Sequence, residues 1–181
     1  MAISDVSQII SEMKFLVSNI NSYVPAGTPS NNVFRSELSG LLIVSLAATY
    51  ENCVKEVIIQ HAESHHPAFG KYAEKQYDKL NSRVSLNDLY GYTGRLGNNL
   101  TEKFNKELLK AERRTSANNV PMNTNGQPSY NKFRIVKEYQ RLLECRHAFA
   151  HARQKTTTIE DAFEMHRYGR FVILAFTRAL S

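Results

Sequence analysis

The chain has 181 residues, a length suited to one hydrophobic core. Hydrophobic residues make up 42% and charged residues 22%, a composition that excludes an intrinsically disordered chain. The formal net charge is +6, and such a basic chain favours acidic partners such as nucleic acid. We therefore expect a single folded domain over residues 1–181.

The positive charge is concentrated near the end of the chain. Residues 131–181 contain ten Lys or Arg and five Asp or Glu, which leaves a surplus of one positive charge for residues 1–130. The surplus predicts a nucleic-acid-contact surface in this segment, with Arg141, Arg153 and Lys155 as candidate contacts. Solvated helix faces are the alternative interpretation of the same charges.

Cysteine content and hydropathy favour the reducing cytoplasm and no membrane partner. Cys53 and Cys145 are too few for a disulfide framework. The opening residues, "MAISDVSQIISEMK", carry acids where a signal peptide has its basic flank. The longest uncharged apolar run, residues 38–50, is too short to span a bilayer.

Apolar residues recur at helical spacing from the first segment onward. The first predicted helix ends at the stretch "VPAGTPSN", residues 24–31, which contains two prolines and a glycine. The second runs over residues 33–65 and is apolar nearly all round in its first half, which predicts a buried central helix. Its predicted inward residues are Leu38, Leu41, Leu42, Ser45, Leu46, Thr49, Tyr50, Cys53, Val54, Val57 and Ile58.

The middle of the chain is less regular. Pro67 is placed to begin a third helix that ends near residue 81. The stretch "LNDLYGYTGRLGNN", residues 86–99, predicts a short helix or an irregular turn. Asn99 and Glu102 have the spacing of a capping box, which predicts a helix to about residue 114. A long loop, residues 115–131, is rich in Asn, Pro and Gly, and we expect it to be mobile.

Two further helices complete the chain. One is predicted over residues 130–153, and the last begins at a second capping box formed by Thr158 and Asp161. No stretch alternates for long at the period of a strand. The sequence therefore predicts an all-α helical bundle.

The stretch "CRHAFAHAR", residues 145–153, holds the most chemically active cluster of side chains. On a helix, His147 and His151 are four residues apart and share one face. Arg146 lies five residues before His151, about 140° round the helix, and its long stem can swing back toward the imidazole.

Several interpretations of this spacing remain open. His-x-x-x-His matches the paired ligands of zinc helices, although no Glu follows the first histidine. Cys145 is a candidate nucleophile, but nothing in the sequence orients a base toward it. An Arg and a His can also cleave an RNA phosphodiester by acid–base chemistry without a metal, because RNA supplies its own 2′-hydroxyl nucleophile. Finally, basic residues at a helix end complement the helix dipole.

Other aromatic and imidazole side chains are candidates for weaker roles. Tyr130, Tyr139 and Tyr168 lie in or near the basic segment, where they either stack on unpaired bases or pack half-buried. The remaining histidines are expected on the solvent side and form no convincing metal cluster; they are His61, His65, His66 and His166.

Two stretches resemble one known family. "RHAFAH", residues 146–151, resembles the Arg-x(4–6)-His signature of the HEPN superfamily, with a polar residue directly after the arginine. "FRSELSGLLIVSLAATYENCVKEVI", residues 34–58, resembles the long early helix of HEPN domains of the RiboL-PSP type. In that helix Glu51 and Lys55 follow an apolar, small-residue run. Residues 66–130 match no pattern that we can name.

The resemblance implies an all-α, HEPN-like antiparallel bundle and a metal-independent endoribonuclease that uses no cofactor. Such enzymes leave a 2′,3′-cyclic phosphate, commonly act as toxins or antiviral effectors, and work as homodimers with the motif helices facing each other. RNA is then the substrate, and a cognate antitoxin is a possible partner. A non-catalytic HEPN module that binds RNA or protein is the alternative, and an adaptor that uses the long loop is a third interpretation.

The resemblance also implies roles for five residues. His151 transfers protons, Arg146 stabilises the charge of the transition state, and His147 orients the substrate or its neighbours. Glu51 holds Arg146 or a partner's basic group, and Lys55 contacts backbone phosphate. The alternative is a purely structural role, in which Glu51 and Lys55 form a surface ion pair one helical turn apart.

Overall fold

The computed structural model describes residues 2–77, 84–152 and 157–181, and of residues 2–7, 9–11 and 152 the backbone alone. Within these ranges the chain forms α-helices and one short 3-10 helix, and it has no β-strand. The helices are α1 (Ala2–Tyr23), α2 (Pro29–His65), α3 (Pro67–Tyr77), α4 (Leu86–Leu96), α5 (Leu100–Thr115), α6 (Arg134–Ala152) and α7 (Ile159–Leu180). The predicted all-α fold is confirmed. None of these helices is both long and apolar enough to cross a bilayer.

Capping side chains determine where two of the helices begin. The Thr28 hydroxyl accepts a hydrogen bond from the Asn31 N–H at 3.4 Å, and Pro29 occupies the first turn. As a result α2 begins four residues before its predicted start. At α7 the predicted capping box is confirmed, because Thr158 and Asp161 exchange side-chain-to-backbone hydrogen bonds.

The capping box predicted for α5 is wrong, and another one begins α4. Asn99 makes no capping hydrogen bond, and Glu102 instead forms an ion pair with Lys106 at 2.7 Å. The true box joins Ser85 and Asp88, and it makes residues 86–96 a regular helix. Spacing alone cannot separate the two boxes, because both Asn and Ser favour the position before a helix.

The motif helix α6 begins on a buried carboxylate that the sequence did not reveal. Glu112 of α5 accepts hydrogen bonds from the backbone N–H groups of Arg134, at 2.9 Å, and Ile135, at 3.2 Å. The first N–H groups of a helix have no partner within it, and a negative charge there also complements the dipole. Glu112 therefore anchors the start of α6, which follows the 3-10 helix Tyr130–Lys132 rather than including it.

The long loop before α6 is closed by its own hydrogen bonds. The Asn123 side-chain oxygen accepts from the backbone N–H groups of Asn125 and Gln127, at 3.0 and 2.9 Å. The Ser129 N–H donates to the Pro121 carbonyl at 2.9 Å. Mobility of this loop stays a prediction.

One cluster of buried side chains includes residues from every described α-helix, and α2 runs through it. Tyr50, Val54 and Ile58 are fully buried, as predicted. The expected inward positions of Leu41 and Ser45 are wrong, because Leu41 is 59% exposed, Ser45 is exposed too, and Ile43 is buried instead. An almost entirely apolar surface does not show which side meets the other helices, so packing decided the orientation of this segment.

Helices α2 and α6 approach closely at Gly40. A Cβ placed there would lie 2.0 Å from a ring carbon of Phe149. We expect Gly40→Ala to displace the ring and to lower the free energy of unfolding by about 1–3 kcal/mol. Gly91→Ala is the matched control, since its Cβ meets nothing within 4 Å and alanine stabilises a helix by up to about 1 kcal/mol relative to glycine. Urea unfolding of both variants checks this, and equal stabilities would contradict the close approach.

A buried aromatic cluster joins α2, α6 and α7. The predicted solvent position of His166 is wrong, because the residue is fully buried and its Nδ1 lies 2.9 Å from the Tyr50 hydroxyl. The ring of Tyr50 also stacks on Tyr139 at 5.7 Å, and the Tyr139 hydroxyl donates to the Val84 carbonyl. Tyr139 is thus a core residue and not a platform for RNA bases.

Burial of His166 predicts a pH-dependent stability. Burial, together with the nearby Arg170 charge, lowers the pKa of His166 from its ordinary 6.5 to about 4. Between these values the unfolded chain binds a proton that the folded chain does not, so stability falls as the pH falls from 6.5 toward 4. The loss reaches at most about 3 kcal/mol.

Urea unfolding at pH 7 and at pH 4.5 measures this loss for the wild type and for His166→Gln. The amide of the variant cannot titrate, so its free energy of unfolding should fall less over the same interval. Equal losses in the two proteins would show that other groups carry the acid sensitivity.

Candidate active site

The central contact of the candidate site is an ion pair between two helices. Arg146 Nη2 of α6 lies 3.4 Å from Glu51 Oε1 of α2, and the two side chains are only 25% and 19% exposed. Oε1 is buried and accepts no hydrogen bond from the residues that the structure describes, so the contact is electrostatic. Partial removal from water strengthens the attraction beyond that of an exposed pair. The structure thus brings together two residues that the resemblance had linked.

The two motif histidines form a second contact on the solvent side of α6. His147 and His151 are exposed, and their ring centroids lie 4.5 Å apart at an angle of 47°. This confirms that they share one face. Two imidazoles therefore stand side by side and are accessible to a ligand.

Packing on α2 sets the orientation of the motif. Phe149 is half-buried against Gly40, and Arg146, three residues earlier, faces Glu51 from the same side of α6. His147 and His151 then point away from α2 toward solvent. The guanidinium is held in a partly buried place, while the imidazoles stay accessible.

Lys55 lies one turn after Glu51 on the same side of α2 and is half-buried. Glu51 pairs with Arg146 across the interface between α2 and α6. The role of Glu51 is therefore not limited to a surface ion pair with Lys55, the alternative that the sequence allowed. Lys55 therefore places a partly exposed cation on α2, one turn beyond the Arg146–Glu51 ion pair.

Much of the basic segment forms ion pairs within the protein. Arg141 Nη2 lies 3.1 Å from Asp161 Oδ1, and its Nη1 lies 3.6 Å from Glu138 Oε2. Arg134 and Arg167 both pair with Glu164, at 3.6 and 3.1 Å. The charge surplus seen in the sequence is therefore partly neutralised at the surface of the bundle. The other two candidate RNA contacts, at positions 153 and 155, lie outside the described residues.

The remaining candidate tyrosines are half-buried. The guanidinium carbon of Arg134 lies 3.7 Å from the ring centre of Tyr168, a cation–π contact that covers one ring face. Tyr130 packs against Phe133 with ring centres 5.1 Å apart. Neither ring stands out as an open stacking platform.

The alternative chemistries of the motif find little support in the geometry. Among the residues placed by the structure, no three His, Cys, Asp or Glu side chains form a group that could hold a metal ion. Cys145 is a half-buried free thiol, and Cys53 is a buried one. A small, buried cysteine of this kind commonly packs as a hydrophobic side chain.

Comparison with known proteins shows the family of the chain. The model of the RiboL-PSP-HEPN family matches residues 4–181. No curated protein and no solved structure matches the chain. The family match extends over both stretches that carried the resemblance and over residues 66–130, where the sequence had suggested no pattern. The chain therefore belongs to the RiboL-PSP-HEPN family.

Proposed function

We propose that this protein is a metal-independent endoribonuclease that cleaves single-stranded or looped RNA at the end of α6. Membership of the family indicates a ribonuclease-type or RNA-related function. The observation that carries the finer proposal is the Arg146–Glu51 ion pair, together with the neighbouring, exposed imidazoles of His147 and His151 on the same helix. These side chains combine a fixed cation with accessible proton-transfer groups.

The reaction needs one proton removed and one proton supplied. The RNA 2′-oxygen loses its proton as it bonds to the adjacent phosphorus, and the bond from phosphorus to the 5′-oxygen breaks. The leaving 5′-oxygen gains a proton, which leaves a 2′,3′-cyclic phosphate and a 5′-hydroxyl. His151 is the proton-transfer residue in this proposal, and His147 orients the substrate.

Charge stabilisation comes from the α2 side of the site. The phosphate gains negative charge in the transition state, and Arg146 offers a planar cation to stabilise it. Glu51 holds that guanidinium in place. Lys55 binds backbone phosphate, and Arg141 contributes after exchanging Asp161 for a phosphate oxygen.

The proposal extends to assembly and biological role. Exposed motif residues, among them His147, Ala150 and His151, form the face on which a second copy would pack as a homodimer. In the cell the protein would act as a cytoplasmic toxin or antiviral effector, with a cognate antitoxin as partner. Light scattering of the purified chain measures the molar mass that tests the dimer.

The cleavage assay uses labelled single-stranded RNA and the purified protein in EDTA. We expect fragments with 2′,3′-cyclic phosphate and 5′-hydroxyl ends, identified by mass spectrometry. A requirement for added magnesium would contradict the mechanism. A salt-dependent mobility shift without any products would instead identify a non-catalytic RNA-binding module.

A further inference from the structure

Two adjoining clefts lie away from the motif, where the end of α2 meets α3, α4 and the end of α7. The larger has a volume of about 370 Å³ and is lined by residues that include Phe69, Tyr72 and Arg95. The smaller has a volume of about 310 Å³ and includes Lys103. His61 and His65 line both clefts, so the two are neighbours, and we name them together the α2–α3 cleft.

Aromatic rings form one side of the α2–α3 cleft. Phe69 and Tyr72 are 60% and 65% exposed, so both rings are accessible to a ligand. They are three residues apart and therefore adjacent on α3. Exposed aromatic rings of this kind bind unpaired nucleobases by stacking, and the stacking tolerates any base because every base has a π-face.

The charges around the cleft suit a phosphate backbone. Arg95 and Lys103 are exposed on its rim. The residues described as lining the two parts include no Asp or Glu. Arginine and lysine next to aromatic rings are the combination by which proteins hold single-stranded nucleic acid.

The two histidines of the cleft are oriented by the backbone. His61 Nδ1 lies 2.7 Å from the Leu180 carbonyl oxygen, and His65 Nδ1 lies 2.9 Å from the His61 carbonyl oxygen. A carbonyl oxygen only accepts, so each Nδ1 carries the hydrogen. In the neutral ring Nε2 is then an acceptor. Such acceptors suit the N–H groups of a base edge or a ribose 2′-hydroxyl.

The cleft lies on the same side of α2 as Glu51. Ala62, which lines the cleft, is eleven residues after Glu51, so the helix has turned by only about 20° and risen by about 17 Å. Lys55 lies between them on the same side. A strand bound at the motif must therefore span at least about 17 Å along α2 to contact the cleft as well.

We propose that the α2–α3 cleft binds an unpaired nucleotide of the RNA substrate at a distance from the scissile bond. The base stacks on Phe69 and Tyr72, and the neighbouring phosphates contact Arg95 and Lys103. This proposal rests on the proposed ribonuclease function and adds a second substrate contact to it. The cleft increases the affinity for long RNA and takes no part in the proton transfers.

Binding is tested with fluorescently labelled single-stranded RNA in the His151→Ala background, which prevents cleavage. We expect Tyr72→Ala to raise the Kd about tenfold. Tyr72→Phe keeps the ring and should bind nearly as the parent does. Tyr23→Ala is the matched control, because Tyr23 is 82% exposed at the end of α1 and away from the cleft. If Tyr72→Ala binds long RNA as tightly as Tyr23→Ala does, the proposal is overturned.

Cleavage assays on proteins that keep His151 separate an effect of the cleft on RNA binding from an effect on the chemical step. Tyr72→Ala should raise the KM for long RNA and leave the rate on a dinucleotide unchanged, because a dinucleotide is too short to reach both sites. An equal loss on both substrates would overturn the distant contact. If the wild type cleaves neither substrate, the proposed function fails. The binding measurement then still shows whether the α2–α3 cleft binds RNA. If the wild type binds no RNA at all, both proposals fail.

Discussion

We expect His151→Ala to cleave single-stranded RNA at least about 100-fold more slowly than the wild type, the lower end of what general acid–base catalysis supplies. The His151 imidazole is exposed beside that of His147, and in the proposed function it carries the proton transfer. Removal of the ring leaves the site without its proposed proton carrier. Initial rates in EDTA on the same labelled RNA measure the loss.

Two controls separate this chemical effect from charge and folding. His151 lies at the exposed end of α6. The free energy of unfolding of His151→Ala should therefore differ from that of the wild type by no more than about 0.5 kcal/mol. Lys137→Ala removes an exposed cation from the same helix and should keep most of the activity. Comparable activity in His151→Ala and Lys137→Ala would remove His151 from the mechanism.

Arg146→Ala should reduce cleavage by about 100-fold or more, the scale observed when one group that stabilises a developing negative charge is removed. Arg146→Lys retains the positive charge and loses the planar pair of donors, so its rate should fall between those of the wild type and the alanine variant. The rates are measured with substrate in excess, so that weaker RNA binding is not mistaken for slower chemistry.

The ion pair with Glu51 provides a sharper test of the same prediction. Arg146→Ala removes the partner of a carboxylate that is only 19% exposed, which should destabilise the fold by about 1–2 kcal/mol. Adding Glu51→Gln removes that buried charge, so the double variant should recover stability but not activity. Recovery of activity in the double variant would show that Arg146 acts only by supporting the structure.

Glu51→Gln alone tests whether Glu51 positions the guanidinium. The amide leaves Arg146 in the protein but removes the charge that attracts it. We expect a lower kcat with a nearly unchanged KM, because substrate contacts remain while the transition-state cation is less well placed. Unchanged kcat would mean that packing alone orients Arg146.

Periodicity and local motifs determined the helical class, the position of α6 and the pairing of its two histidines. His147 and His151 lie one turn apart in any α-helix, so their contact follows from spacing alone. The same is true of the capping box at Thr158, because its hydrogen bonds join residues within a single turn. The family resemblance likewise rests on short stretches whose residues are adjacent in the sequence.

Tertiary structure decided which of these side chains meet across helices, although the resemblance had already offered Arg146 as one of two partners for Glu51. The Arg146–Glu51 contact, the support of α6 by Glu112 and the pairing of Arg141 with Asp161 all join different helices. His166 was wrongly placed on solvent because a histidine suits either environment, and its burial depends on the hydroxyl of Tyr50. Which side of a helix faces inward, and which charge finds a partner, depends on the helices packed against it, and a local sequence pattern does not contain that information.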